Sequence, residues 1–171
     1  IACFNTLIGN GIELSVFRYP VNNEAPFTFN NKITTYDRKL LSDKDILNEV
    51  FKINPDLIFC SGWIDKGYID IIKQLKNEKH VVSVLCIDNK WTGSFKQYIA
   101  GLYSRLFLKP YFDFAWVPGQ KQKKLAKHLG FNEKKVRTDF YCADTDLFNK
   151  VYEESFENKK KDFPKRFLYT G

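Results

Sequence analysis

Val81-Val82-Ser83-Val84-Leu85-Cys86-Ile87 runs directly into Asp88-Asn89-Lys90-Trp91. An apolar run of strand length, interrupted by one serine and closed by polar residues, is the pattern of a strand buried on both faces of a parallel sheet. The flanking sequence repeats the theme. Upstream, 56–60 is a second short apolar strand, and 67–77 places Ile69, Ile72 and Leu75 at helical spacing. Downstream, 95–108 reads as a helix, 113–117 as a strand, 120–129 as a Lys-rich helix closed by Gly130, and 135–141 as a final strand. Short strands alternating with longer helices form βαβ units. The prediction is an α/β fold with a doubly wound, mostly parallel Rossmann-like sheet, covered on both faces.

Further outward the pattern loosens. Ile1, Phe4, Leu7 and Ile8 recur at helical spacing and stop at Gly9-Asn10-Gly11, after which 12–19 reads as a strand and a polar loop follows through about Lys32. Ser42-Asp43-Lys44-Asp45 opens a helix that turns Ile46, Leu47, Val50 and Phe51 inward and ends at Asn54-Pro55. The tail after 141 is read as irregular and polar, with a charged run over 153–165.

Composition narrows the class. A chain of 171 residues with 44% hydrophobic and 16% aromatic residues suits one domain with a real core. No apolar run approaches the roughly 18 residues of a membrane span. The chain has no methionine, so Ile1 is not expected to be the natural start. Cys3, Cys60, Cys86 and Cys142 are widely spaced, with no CxxC pair, so reduced thiols and a cytoplasmic setting are expected. The net charge of +7 favours an anionic partner, or is a solvated surface that keeps the domain soluble.

In sheets of this kind ligands lie beyond the carboxyl ends of the strands. The loops to inspect are therefore Ser61-Gly62-Trp63, Asp88-Asn89-Lys90-Trp91 and Pro118-Gly119-Gln120. Asp88, one residue past the most buried strand, is the candidate general base. Its alternative is a turn role, capping the 89–94 loop or pairing with Lys90 or Arg105. Trp63 is a candidate stacking platform for a sugar or lipid head, with Gly62 allowing close backbone approach and Trp91 flanking the cleft. The alternative is that both indoles merely cover the top of the sheet. The candidate acceptor-binding set is Ser61, Gly62, Trp63, Lys90, Trp91, Gly119 and Gln120. His80 precedes a strand, at the wrong end of the sheet, and His128 sits in the last turn of a helix, where its charge complements the dipole.

The helix over 95–108 has two readings. Phe95, Ile99, Leu102, Tyr103, Leu106 and Phe107 form a broad apolar arc, with Lys96, Arg105 and Lys109 beside it. Facing the sheet, the arc is core; exposed, it suits a membrane surface, with those three cations toward an anionic leaflet.

Several segments, in order, resemble the N-terminal domain of GT-B glycosyltransferases of family 4. They are Gly11-Ile12-Glu13-Leu14-Ser15-Val16, Asn54-Pro55-Asp56-Leu57-Ile58, Asp113-Phe114-Ala115-Trp116-Val117-Pro118-Gly119, Leu125-Ala126-Lys127-His128-Leu129-Gly130 and Ala143-Asp144-Thr145-Asp146-Leu147-Phe148. Arg166-Phe167-Leu168-Tyr169-Thr170-Gly171 resembles the opening strand of that family's second domain. The resemblance implies an acceptor-binding domain over 1–148, a charged interdomain linker over 149–165 and the start of a donor-binding domain at 166–171. It also implies that the family's first strand has no counterpart here.

The activity implied is metal-independent transfer of a sugar from a nucleotide-sugar donor to a glycan or lipid-linked acceptor. The donor is bound mainly by the second domain, so this portion alone is expected to be inactive and to need no cofactor. Family members often place a His where Asp88 falls. Asp144-Thr145-Asp146 matches the metal-nucleotide signature of the GT-A fold, but its place before Leu147-Phe148 suits a turn whose Asp caps the following segment, and no metal site is expected. GxGxxG and GxxxxGK[ST] phosphate loops are absent from the sequence. The rival reading is a flavodoxin-like, non-catalytic module for an anionic ligand. Nucleic acid is not expected as a partner, whereas contact with the inner face of an anionic membrane is.

Overall fold

The computed structural model describes residues 2–20, 31–139, 141 and 145–161. The chain opens with α1 (Ala2–Gly9), β1 (Ser15–Arg18), β2 (Thr34–Asp37) and α2 (Asp43–Ile53). It continues through β3 (Leu57–Ser61), α3 (Lys66–Glu78), β4 (Val82–Cys86), α4 (Phe95–Phe107), β5 (Phe114–Trp116), α5 (Gln120–His128), β6 (Val136–Arg137) and α6 (Thr145–Lys161). The architecture is the predicted α/β one, Rossmann-like, with parallel strands throughout.

β3, β4, β5 and β6 form a four-stranded sheet in sequential order, which is how one half of a doubly wound sheet grows. Cys60, Leu85, Ala115 and Val136 stand in one row across it. That row is buried and meets Ile69 and Ile72 of α3 with Leu125 and Ala126 of α5 and its C-cap Leu129. The opposite face is less covered than expected: Leu57, Phe59 and Val82 are exposed there. β1 and β2 form a separate parallel pair. α2 leads from this pair to β3 and packs on α3 around Ile46, Val50, Ile71, Leu75 and Val81.

Local chemistry sets the boundaries. Ser42 and Asp45 make a reciprocal capping box at the start of α2, and Asn54 adopts a left-handed C-cap (φ 53°) just ahead of Pro55. Asp65 caps α3 by accepting hydrogen bonds from the amides of Gly67 (2.9 Å) and Tyr68 (3.4 Å). At the amino end of the sheet the Ser83 hydroxyl donates to Tyr111 O at 2.7 Å, while Asp113 takes the Ser83 amide (2.9 Å) and pairs with Lys76 (2.6 Å). The one serine in the buried strand is thereby satisfied.

Four sequence expectations are corrected. Thr34–Asp37 lies beyond the polar loop and was not read as a strand; it is β2, held by the β1 ladder and by Tyr36 stacked on Phe17 (4.4 Å, 8°). The final strand shrinks from 135–141 to two residues. The stretch after 141 read as irregular carries α6: Phe148, Tyr152 and Phe156 recur every four residues among the charges. Cys60 and Cys86 are buried free thiols, but Cys3 is disulfide-bonded, against the expectation of four reduced thiols. No helix among the described residues is long and apolar enough to cross a membrane.

Candidate functional site

The carboxyl ends of β3, β4 and β5 form one rim, because the ladder continues one residue past each strand. The Gly62 amide donates to Cys86 O at 3.1 Å, that of Ile87 to Trp116 O at 3.0 Å, and that of Val117 to Arg137 O at 2.9 Å. Gly62 has φ +84°, a left-handed turn for which glycine is suited, and a side chain there would meet open space. The loops at 61–63 and 88–91 are thus tied side by side.

Asp88 sits at the head of a braced loop. Gln122 Nε2 donates to its backbone carbonyl at 3.3 Å, and the Trp91 amide donates to Lys121 O at 3.2 Å. Gln97 donates to Lys90 O (2.8 Å) and accepts from the Thr92 amide (2.7 Å). The Asp88 carboxylate is exposed and makes no hydrogen bond or ion pair among the described residues. It neither caps the loop nor pairs with Lys90 or Arg105. A braced backbone carrying a free carboxylate is what a proton acceptor requires.

The two indoles differ. Both are half-buried and pack against the main core. Trp91 stacks on His128 at 3.7 Å and 6°, with the Tyr98 ring edge-on at 5.1 Å, so one indole face is taken. Trp63 has no such ring partner among the described residues. Ser61 and Lys90 are exposed on the rim, and Gly119 is the N-cap of α5. Gln120 belongs elsewhere as well. It lines a groove of about 540 Å³ with Arg105, Lys123, Lys124, Lys127, His128 and Glu133. A neighbouring hollow of about 440 Å³ is lined by Arg105, Lys109, Lys127 and the 130–132 turn.

Glu133 is the acid of that groove, paired with Lys123 (3.0 Å) and Lys127 (3.1 Å), which hold its carboxyl below the usual range. Arg105, Lys109 and Lys124 have no acidic partner among the described residues, so the groove stays cationic.

One cluster has no signal in the sequence. Arg38, just past β2, donates from Nε to Asp65 Oδ2 at 3.0 Å, pairs with Asp43 and lies 5.2 Å from the Tyr68 ring centre. Tyr19 donates to the same Asp65 oxygen at 2.9 Å. The hydrogen bond from Arg38 holds the Asp65 carboxyl below its ordinary range. Burial pushes the Tyr68 hydroxyl up to about 12, and that hydroxyl has no partner among the described residues. Through Arg38, Asp43, Asp65 and Tyr19 the cluster fastens the end of the β1–β2 pair to the start of α3. Only the helix-cap role of Asp65 could have been suspected from the sequence.

His80 is exposed ahead of β4, at the opposite end of the sheet. Asp144 lies outside the described residues, and Asp146 is in the first turn of α6. Among the described residues no three His, Cys, Asp or Glu side chains gather as metal ligands. No family model, curated protein or solved structure matches the chain.

Proposed function

We propose that this chain is the acceptor-side, N-terminal domain of a two-domain GT-B glycosyltransferase acting on a glycan or lipid-linked acceptor. The observation that carries the reading is the free carboxylate of Asp88 on a braced loop at the carboxyl end of the buried strand, next to the loop of Gly62 and Trp63. Ligands of parallel α/β sheets bind at this end. Trp63 and Lys90 would hold the acceptor there. As the acceptor oxygen bonds to the anomeric carbon of the donor, Asp88 takes its proton and the nucleotide leaves with the electron pair of the broken glycosyl bond. The nucleotide would be held mainly by a second domain beyond this chain, without a metal. The test is transfer from a panel of nucleotide-sugars by the full-length protein, with chelator present. Product from one donor supports the reading; absence of transfer and of donor hydrolysis across the panel refutes it.

The cationic groove along α5 supports a second reading, a binding module for an anionic ligand. Salt separates the two. Affinity resting on the groove falls steeply as ionic strength rises, whereas acceptor binding at the strand ends does not.

A further inference from the structure

α4 is attached to the fold by its small residues. A Cβ on Gly101 would come within 2.9 Å of His128 O, and the Ser104 hydroxyl, itself buried, donates to Leu129 O at 3.0 Å. At 100° per residue these two positions share one face of the helix. The opposite face carries Phe95 (78% exposed), Ile99, Leu102 (66%) and Leu106 (62%), continued on its flanks by Tyr98 and Tyr103. The apolar arc therefore faces out, and its reading as cover for the sheet is overturned. Single exposed apolar residues are ordinary, but an arc running the length of a helix marks an interaction surface.

Charge identifies what it meets. α4 contains no acidic residue, while Lys96 and Arg105 border the arc and Lys109 follows its end. Arg105 and Lys109 also open onto the hollow shared with Lys127, where the nearby acid, Glu133, is already paired. A second copy of the chain would bring the same cations against these and be repelled; a sheet of lipid phosphates would be attracted. Aromatic and leucine side chains on one face with Lys and Arg beside them is the composition of helices that lie in the membrane interface. At 13 residues, α4 can lie there but cannot span.

We propose that α4 docks the protein on an anionic phospholipid bilayer, with Leu102, Leu106 and their neighbours at the headgroup–acyl boundary and Arg105, Lys109 and Lys96 on lipid phosphates. The inference is independent of glycosyl transfer.

The test is co-sedimentation of the intact protein with phosphatidylcholine vesicles, with and without phosphatidylglycerol. Binding is expected to the mixed vesicles and to weaken at about 1 M salt, where the Debye length is roughly 3 Å. Lys96→Ser/Arg105→Ser/Lys109→Ser should lower partitioning by at least roughly tenfold. Leu102→Ser/Leu106→Ser should do the same by removing buried apolar area. Circular dichroism melts control for folding, and the salt titration needs no variant. Failure of the wild type to bind, or equal partitioning of wild type and both variants, overturns the proposal. So does light scattering that shows a dimer dissociated by the leucine changes when vesicles are not bound, since the arc would then be covered by a second copy.

Discussion

Arg38 and Asp65, 27 residues apart, join the end of the β1–β2 pair to the cap of α3 through an Nε–Oδ2 hydrogen bond of 3.0 Å. The same carboxylate caps two α3 amides and accepts the Tyr19 hydroxyl, so one side chain serves both sheets. Asp65→Ala removes the cap and leaves Asp43 as the one acidic partner of Arg38 among the described residues. The expected loss is roughly 2–3 kcal/mol: about 1 for the cap, the rest a half-buried ion pair discounted for its partial exposure. Urea unfolding measures it. Because the folded carboxyl titrates below its unfolded value, its contribution is full above about pH 4 and fades as pH falls further through the folded pKa. Asp65→Ala should flatten that acid limb.

Gly101 sets how closely α4 approaches α5. Alanine in a helix is ordinarily better than glycine by about 1 kcal/mol, but here even a Cβ meets the His128 carbonyl at 2.9 Å. Gly101→Val adds bulk that backbone cannot yield to, and a loss of about 1–3 kcal/mol is expected. The melting temperature should fall, and the Trp91–His128 stack should loosen, which near-ultraviolet circular dichroism would register. An unchanged melt would show that α4 is not seated on α5.

The parts of the fold legible in the sequence were those whose own periodicity agrees with their tertiary setting. The run ending at Ile87 announced β4, and Ser42 with Asp45 announced the start of α2. β2 was hidden because Thr34-Thr35-Tyr36-Asp37 has no alternating pattern; its strand exists through the β1 ladder. α4 shows the opposite failure. Its amphipathic pattern was plain, but periodicity does not say which face turns inward, and Gly101 and Ser104 carry no hydrophobic signal although they make the contact. Of the site, the strand-end loops were legible from topology alone, whereas the Arg38–Asp65 cluster joins residues with no sequence relation.

Asp88→Asn tests the proposed base. The carboxylate makes no hydrogen bond or ion pair among the described residues, so the melting temperature should not move. Turnover of the full-length enzyme should fall by at least roughly tenfold, since an amide cannot take up the proton, with little change in KM for the acceptor. Unchanged turnover would return Asp88 to a loop residue.

Burial pushes the Cys60 thiol up to about 12 and the Cys86 thiol up to about 11. Both should therefore react with a thiol reagent at pH 8 only as fast as the chain unfolds, because the thiolate is the nucleophile. The sign follows for stability: the buried neutral thiols favour the fold below the unfolded pKa, and that contribution is lost as pH rises toward the folded values. Rapid labelling under native conditions would place at least one thiol at the surface.

The last prediction concerns the free edge of β3. The Gly62 amide donates toward β4 and the Asp56 carbonyl accepts from the Val82 amide, so the even-numbered residues of this strand bond to β4. Alternation then turns the amides of Leu57, Phe59 and Ser61 the other way. The two strands that precede it in the chain, β1 and β2, pair with each other instead, and no described strand joins the two sheets. Unpaired strand edges are open templates for another strand. In the 171-residue chain, hydrogen exchange at Leu57, Phe59 and Ser61 should be much faster than at Ile58 and Cys60, whose amides face β4. The odd-to-even contrast within one strand cancels differences in global stability, since both sets unfold together. Equal protection at the odd positions would require a strand against this edge, supplied by a second copy or by residues outside those described, and a dilution series would identify the former by its concentration dependence.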